Sequence, residues 1–535
     1  MKNGKHEYSG ADIQKLGDIE AIRVKTGMYI GDTGVGGLHH LVWEVLNNSA
    51  DEALNGRGDR ITGILHPDNY IEITDNGSGI PVDYKKDEKM SALDLIMLYR
   101  HSGGKLYAEK TSYKKSIGTN GLGLYILNCL SIHTIITVKR DGKIYRAEYS
   151  VGKIKVPLKE IGTTKASDTG TSIKWKVDPA VFVDPSCVYD YDKIASRFKL
   201  TSFMIPKIKL ILKDIRVKGK ERTDTFESEH GLMDLLDDVL LGRTKLLRNN
   251  IHIYTKNIEN IMKPNRVGVM EPVPHTIETE LCFNIDPVDR EEIIKAYVNG
   301  NDTPLGGTMV TGFKNGYLKA INRFARENGL LKDKDEDFKY GDIKDGLIAA
   351  IHISHQDPVF DSQTKVRLKS PEVSGIVNNS VYEKMERFGI DYPNEMKKII
   401  DYYIRLRKGK LSASKALDAE LKKVTAPTGK TVILSEYVAD CSSSKREDCE
   451  LVIVEGDSAA GSGKKSRNSL YQAILPIRGK MINTYKGALA KVLNNTEVQA
   501  IIKVAGTGST QSENFDMSKA RYGRIIIMAD ADPGI

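Results

Sequence analysis

Glu44 and Asn48 stand four residues apart in the stretch WEVLNNSADEAL, a spacing that puts both on one face of a helix. There a carboxylate could orient and deprotonate water while the amide carbonyl holds a magnesium ion; simple solvation of a surface helix is the competing explanation. Three glycine-bearing segments accompany the pair. The first, Asp75-Asn76-Gly77-Ser78-Gly79-Ile80-Pro81, follows the strand-like YIEIT. Asp75 can therefore accept a hydrogen bond from an adenine amino group while the glycines admit a flat base close to the backbone. The others are His101-Ser102-Gly103-Gly104-Lys105 and Gly118-x-x-Gly121-x-Gly123, the latter running into LYILNCLS. Glycines that open a helix expose unpaired N–H groups at the positive end of a dipole, a seat for polyphosphate; tight packing of a helix start is the rival account. The spacing is neither the dinucleotide G-x-G-x-x-G nor a P-loop with its Lys-Ser/Thr, so a phosphate cradle here is of another type.

A second group lies at the far end. Glu455 closes the apolar run LVIVE ahead of a glycine turn, and Asp530 and Asp532 close RIIIMADAD two residues apart, hence on one side of a strand. Three carboxylates at the carboxyl edge of a parallel sheet make an oxygen-rich site for Mg²⁺; capping of a following helix by Asp and Ser is the structural alternative. Lys464, Lys465, Arg467, Arg478 and Lys480 surround this end and suit either DNA phosphates or solvation.

The chain that must position these groups has 535 residues, enough for three or four domains. With 40% apolar and 28% charged residues it has the composition of a globular protein. Five cysteines, odd in number and without a C-x-x-C pair, argue for a reducing cytoplasm and against a zinc site. The start lacks an apolar signal region and no run of 18 apolar residues occurs, so neither secretion nor membrane spanning is expected. A net charge of +8 permits nucleic acid binding without requiring it. Up to about residue 215, short β-branched runs alternate with helical stretches in an α+β pattern; from about 220 to 400 a second α/β unit is expected. A long helix follows from Tyr392 to about Val424, interrupted near Gly409, with seven bases against two acids between Arg405 and Lys423; a solvated face and a phosphate-facing one are both open. After about residue 430, LVIVEGDSA, a loop, QAILPI, helices and RIIIMADAD suggest a parallel sheet.

In order, these motifs resemble the ATPase domain shared by gyrase B, Hsp90, MutL and histidine kinases. TGMYIGDTGVGGLHHLVWEVLNNSADEAL, HSGGKLY, SYKKSIGTNGLGLYILNCLS and DTGTSIKW are similar, block for block, to type IIA DNA topoisomerase B subunits, the gyrase B and topoisomerase IV B family. GGTMVTGF, IKDGLIAAIHI, DPVFDSQTK, VEGDSAAGSGKKSRN, QAILPIRGKMINTYK and IIIMADAD continue the likeness over the whole chain. The resemblance implies a GHKL-type ATPase sandwich with an N-terminal dimerisation arm in residues 1–215 and a ribosomal-protein-like transducer in 216–400. A helical linker in 401–430 and a partial, Rossmann-like Toprim domain in 431–535 would follow.

The same resemblance implies roles. Glu44 matches the catalytic base, Asn48 the magnesium ligand, Asp75 the adenine-reading carboxylate and Thr171 its water-linked neighbour. Asp51, Gly77, Gly79, Ile80, Pro81, Gly103, Gly104, Lys105, Tyr113, Gly118, Thr119, Asn120, Gly121, Leu122 and Gly123 match other nucleotide-contacting positions. Gln363 and Lys365 match a loop that reaches the γ-phosphate from the second domain. A cation touching only the triphosphate state couples hydrolysis to movement. Tyr8 and Ile13 match an arm that embraces a second copy of the chain when ATP binds, and Glu455, Asp530 and Asp532 match the magnesium-binding acids of DNA cleavage and rejoining. The implied cofactors are ATP and Mg²⁺. The implied partners are double-stranded DNA, a second copy joined through the ATPase domain, and an A-type subunit, since no tyrosine here matches a cleavage nucleophile.

Departures from the family pattern are expected to matter. Asn47 stands where an Asp is usual, Thr26 where a Pro is usual, and Ser78 replaces the Arg of D-G-R-G-I-P, removing a cation from beside adenine. The sequence stops at Ile535 before a third aspartate, so the expectation is either a chain truncated within Toprim or a split enzyme in which another polypeptide supplies the remainder, an open sheet edge favouring the second. The competing function is a non-cleaving ATPase clamp or chaperone-like dimer; a sensor kinase is disfavoured by the lack of a phosphoacceptor-type histidine helix.

Overall fold

The computed structural model describes residues 15–104, 116–118, 121–184, 186–264, 268–361, 365–425, 438–478, 495–507 and 515–528, with backbone alone for 264, 413–425 and 457–458. Met1–Ile400 and Asp401–Ile535 form two compact units.

In the first unit, β-branched alternation produces an eight-stranded mixed sheet. Its order is Arg222–Phe226, Lys209–Asp214, Arg60–His66, Tyr70–Asp75, Gly170–Val177, Ser131–Arg140, Lys143–Ser150 and Lys153–Thr163. One face carries Ile61, Leu65, Ile71, Ile73, Ile136, Val138, Ile173 and Trp175, all nearly or fully buried. The helix Val35–Leu54 covers that face. Its Leu38, Leu41, Val42, Val45 and Leu46 recur at helical spacing and are buried, which at about 1.5–3 kcal/mol for each large side chain fixes the helix's rotation. Glu44, Asn47 and Asn48 are thereby left half-buried on its flank.

A five-stranded sheet belongs to the same unit, in the order Ile251–Pro264, Met270–Ile285, Leu347–His355, Ile293–Val298 and Asn301–Asp302. Leu347–His355, the expected apolar strand, is buried at every position but Ser354. The helices Thr308–Glu327 and Pro371–Asp391 pack closely because Gly312 and Gly316, one turn apart, lie against backbone of the second helix; a methyl group at Gly312 would stand 2.5 Å from the Ser374 carbonyl oxygen. Cys282, Tyr297, Ile348 and Ala350 of this sheet join the buried cluster of the first, so the core is continuous.

The helix expected to break near Gly409 runs uninterrupted from Pro393 to Thr425. One glycine costs a helix about 1 kcal/mol, and the preceding turns bury Met396, Ile399, Ile400, Tyr403 and Leu406, which outweighs it.

In the second unit three parallel strands run in the order Gln472–Ile477, Glu450–Glu455, Arg524–Met528. Where the sequence suggests a strand LVIVEGDSA followed by a loop, the strand ends at Glu455 and the helix Gly456–Ser466 begins at once. Leu451, Ala473, Leu475, Cys449 and Tyr522 form the core. The outer strand Arg524–Met528 is different: Ile525 is 55% and Ile527 75% exposed, with Ile526 and Met528 on the other face also open. Among the described residues no helix is long and apolar enough to cross a membrane.

Candidate active site

Asp75 ends its strand opposite Gly170–Val177, and that pairing presents Thr171 to it. The Asp75 carboxylate accepts from Ser49 Oγ at 2.8 Å on Oδ2, and from the Gly77 and Thr171 amides at 3.0 and 3.2 Å on Oδ1. Thr171 Oγ1 in turn accepts from the Ile80 amide at 3.1 Å. Burial raises the Asp75 carboxyl above the ordinary carboxylate range, the three donors oppose this, and the neighbouring Glu52 charge adds to the rise. The acid is thus held in one orientation and partly withdrawn from water, as reading a neutral base edge requires.

At the opposite end, Gly123 opens the helix Gly123–Cys129, with Leu122 at its N-cap. Glu44 lies directly on it: a methyl group at Gly123 would collide with Glu44 Oε2. His40 Nε2 is 3.5 Å from the other carboxylate oxygen. The turn before this helix is built by Asp51, which is fully buried and accepts from the Ile117 amide at 2.5 Å, the Gly118 amide at 3.3 Å and Ser116 Oγ at 3.2 Å. Residues of the five-stranded sheet's region reach the same turn: Lys365 Nζ donates to the Ile117 carbonyl at 3.1 Å and Asn299 Nδ2 to that of Ser116 at 2.9 Å. Asn299 also donates to the His355 carbonyl and accepts from the His355 amide, both at 2.8 Å.

These ends bound one cavity of about 1160 Å³. Glu44, Asn48, Asp75, Gly79, Ile80, Pro81, Gly103, Gly104, Gly118, Gly121, Leu122, Gly123, Thr171 and Lys365, expected from the sequence, all line it. Two expected contacts do not. Asp51 is turned inward to hold the 116–118 turn. Gly77 stands behind the wall, donating to Asp75 with Glu52 packed where its side chain would be. Both position the site from outside the cavity. Tyr8, Ile13, Lys105, Tyr113, Thr119, Asn120 and Gln363 lie outside the described residues.

Sequence reasoning misses several lining groups. Glu52 continues the four-residue spacing of Glu44 and Asn48 and could be found on that ground. Arg57 lies five residues beyond Glu52, in the turn after the same helix, while Arg140, Arg197, Asn301 and Asp302 come from distant segments with no local signal. Arg197 donates to Asn47 Oδ1 at 3.1 Å, the position where the family's acid is replaced by an amide. Burial depresses the basicity of this guanidinium, while Asp302, Tyr297 and Glu44 support its charge.

At the carboxyl edge of the parallel sheet, Glu455 is exposed and stands as N-cap of the helix Gly456–Ser466 without a capping bond from its side chain. Its carboxylate is not used to cap the helix, and such a hard oxygen donor fits Mg²⁺. Asp530, Asp532 and Lys480 lie outside the described residues, and no cluster of three ligating side chains occurs among the described ones.

A mixed sheet covered by a helix that carries an acid and an amide, with glycine turns around an open cavity, is the arrangement of the GHKL ATPase class. Residues 34–180 match the histidine kinase-, DNA gyrase B- and HSP90-like ATPase family, 231–419 the DNA gyrase B family and 450–534 the Toprim domain. The chain is 38% identical over 526 residues to the DNA gyrase B protein of Thermotoga maritima, covering 98% of this chain and 79% of that one. To the DNA gyrase B protein of Treponema denticola it is 36% identical over 531 residues, with 99% and 79% covered. The 43K ATPase domain of Thermus thermophilus gyrase B, solved with an aminocoumarin, superposes with a TM-score of 0.60 at 28% identity over 75% of this chain and 98% of that one. The topoisomerase IV ATP-binding domain of Francisella tularensis, solved with a small-molecule inhibitor, gives 0.57 at 25% identity, with 74% and 98% covered. The chain belongs to the DNA gyrase B family, the ATP-hydrolysing subunits of type II DNA topoisomerases, whose ligands are ATP and Mg²⁺.

Proposed function

We propose that residues 1–215 bind and hydrolyse ATP, 216–400 transmit the nucleotide state, 401–430 link, and 431–535 contribute to Mg²⁺-dependent DNA cleavage and rejoining. Asp75, with Thr171 beside it, reads the adenine edge. Gly118, Gly121 and Gly123 seat the phosphates on the N-terminal end of the helix Gly123–Cys129. Glu44 orients the attacking water and accepts its proton, and Asn48 holds the magnesium ion, which when bound neutralises triphosphate charge. Lys365, with Gln363, engages the γ-phosphate from the transducer side.

One observation carries this reading: Glu44, Asn48, Asp75 and Lys365, more than 300 residues apart at the extremes, line one cavity. Lys365 already rests on the turn ahead of the helix Gly123–Cys129, through the Ile117 carbonyl. A cation so placed trades a protein carbonyl for phosphate oxygens when the nucleotide arrives and shifts the segment that bears it. In this account ATP joins two copies through their ATPase domains around a DNA duplex. The tyrosine of a partner A-type subunit cleaves the second duplex, with Glu455, Asp530 and Asp532 holding the metal of that step, in the cytoplasm of a bacterial or phage-infected cell.

The test combines the chain with a gyrase-type A protein, Mg²⁺, ATP and supercoiled DNA. ATP-dependent change of linking number is expected, and none with any A protein, despite intact ATPase activity, would defeat the strand-passage assignment.

A further inference from the structure

The strand Ile293–Val298 turns back into Asn301–Asp302 through Asn299 and Gly300, both at positive φ, 49° and 77°. Asn followed by Gly is the pair that such a two-residue turn favours. Val298 pairs with Ile353 of the parallel strand Leu347–His355, and the Asn299 backbone N–H still donates to the Ile353 carbonyl at 2.8 Å as the chain leaves the sheet. The side chain then takes over from the backbone. Its Oδ1 accepts from the His355 N–H and its Nδ2 donates to the His355 carbonyl, the acceptor and donor that a continuing strand would present. That pairing fixes which end of the carboxamide is nitrogen, and the remaining Nδ2 hydrogen goes to the Ser116 carbonyl at 2.9 Å. Asn299 is 6% exposed, so these bonds are made largely out of water.

What the bonds join decides their use. Ser116 is the neighbour of Ile117, whose carbonyl receives Lys365 Nζ at 3.1 Å. His355 ends its strand and begins the segment that carries Lys365. Where that segment runs into the helix Pro371–Asp391, Glu372 returns to His355. The His355 ring accepts the Asp357 N–H on Nδ1 at 3.0 Å, so its Nε2 carries the hydrogen given to Glu372 Oε1 at 2.8 Å. Both ends of the segment thus meet at His355, and the Asn299 amide ties that root to the residue beside the one its lysine touches. A long lysine on an untied root could still reach the turn, but with poor aim.

We propose that Asn299 is a positioning residue for hydrolysis. Acting through Ser116 and His355, it sets the distance between the 116–118 turn and the root of the segment bearing Lys365, so that the ammonium meets the γ-phosphate already aimed. Its effect falls on turnover rather than affinity, because Asp51 holds the turn through three bonds of its own. The inference rests on the proposal that Lys365 engages the γ-phosphate.

The experiment measures steady-state ATP turnover and equilibrium binding of a non-hydrolysable ATP analogue on the full chain. Asn299→Gly removes the amide while accepting the positive φ without strain. It is expected to lower kcat by up to about tenfold, no more than Lys365→Ala does, with KM and analogue binding retained. Asn299→Asp keeps an acceptor for the His355 N–H but loses both donors, and is expected to show the same loss. In the Lys365→Ala background either change adds little, since the group being aimed is gone. Unaltered kcat in either variant, a loss of analogue binding that matches the loss of kcat, or a loss that multiplies with that of Lys365→Ala each overturns the inference; the last two would mark Asn299 as a support of the fold alone. Lys365→Ala by itself separates the inference from the reading beneath it. If that variant turns over ATP normally, both fall; if it is impaired while either Asn299 variant is not, only the role of Asn299 falls.

Discussion

The site acids of the first unit are engaged by the protein around them, whereas Glu455 of the second stands in water. Asp75 takes three hydrogen bonds inside the protein, Asp51 takes three more at the 116–118 turn, and Glu44 is pressed onto Gly123. Glu455 is exposed at a strand end, next to an outer strand whose two faces are open. The contrast follows from what each must meet. A neutral base edge offers weak, directional hydrogen bonds, worth having only if the acceptor is already dry and aimed. A divalent cation attracts from a distance and brings its own geometry, so its ligand can remain hydrated until it arrives.

Substitutions test how far the contrast extends. The largest effect is expected from Glu44→Ala: ATP turnover falls by about 10²–10⁴-fold while the non-hydrolysable analogue still binds, and near-normal steady-state turnover would strip Glu44 of its role. Asp75→Asn should lower nucleotide affinity by about 10- to 100-fold. Acidification should mimic it. The raised Asp75 carboxyl takes up its proton at a higher pH than an ordinary aspartate, so affinity falls earlier on the way down than an unperturbed acid would allow; a titration in which binding persists to the pH of a free carboxylate would contradict this. Lys365→Ala should reduce kcat about tenfold with analogue binding retained, which single-turnover kinetics would separate from a binding defect. The smallest change is expected where the contrast is sharpest. Glu455→Ala should leave thermal stability within about 0.5 kcal/mol, yet abolish DNA cleavage by the complex with an A-type partner; a marked loss of stability would show that Glu455 is tied into the fold after all.

What the sequence discloses follows the range of the interactions. Asp75 with its glycines, the Gly118–Gly123 turn and the helix that begins there are local patterns, and they line the cavity as expected. Glu44 and Asn48 are legible because helical periodicity leaves them on the flank of a buried stripe. Asp51 falls on the other side of the wall from the one its motif suggests, since its partners are a pair of amides more than 60 residues on. Arg140 carries no signal at all: it reaches the site through a tertiary contact that spacing alone does not encode. The Gly409 interruption is absent for a related reason, because the glycine's cost is local while the packing that overrides it is not.

The overlap of Gly123 and Glu44 has a practical sequel for anyone interpreting variants. The smallest possible addition at position 123 pushes on a carboxylate carried by another helix. An alanine placed there to probe anion binding would therefore masquerade as a lesion in proton transfer, and the two positions are to be scored as one genetic unit.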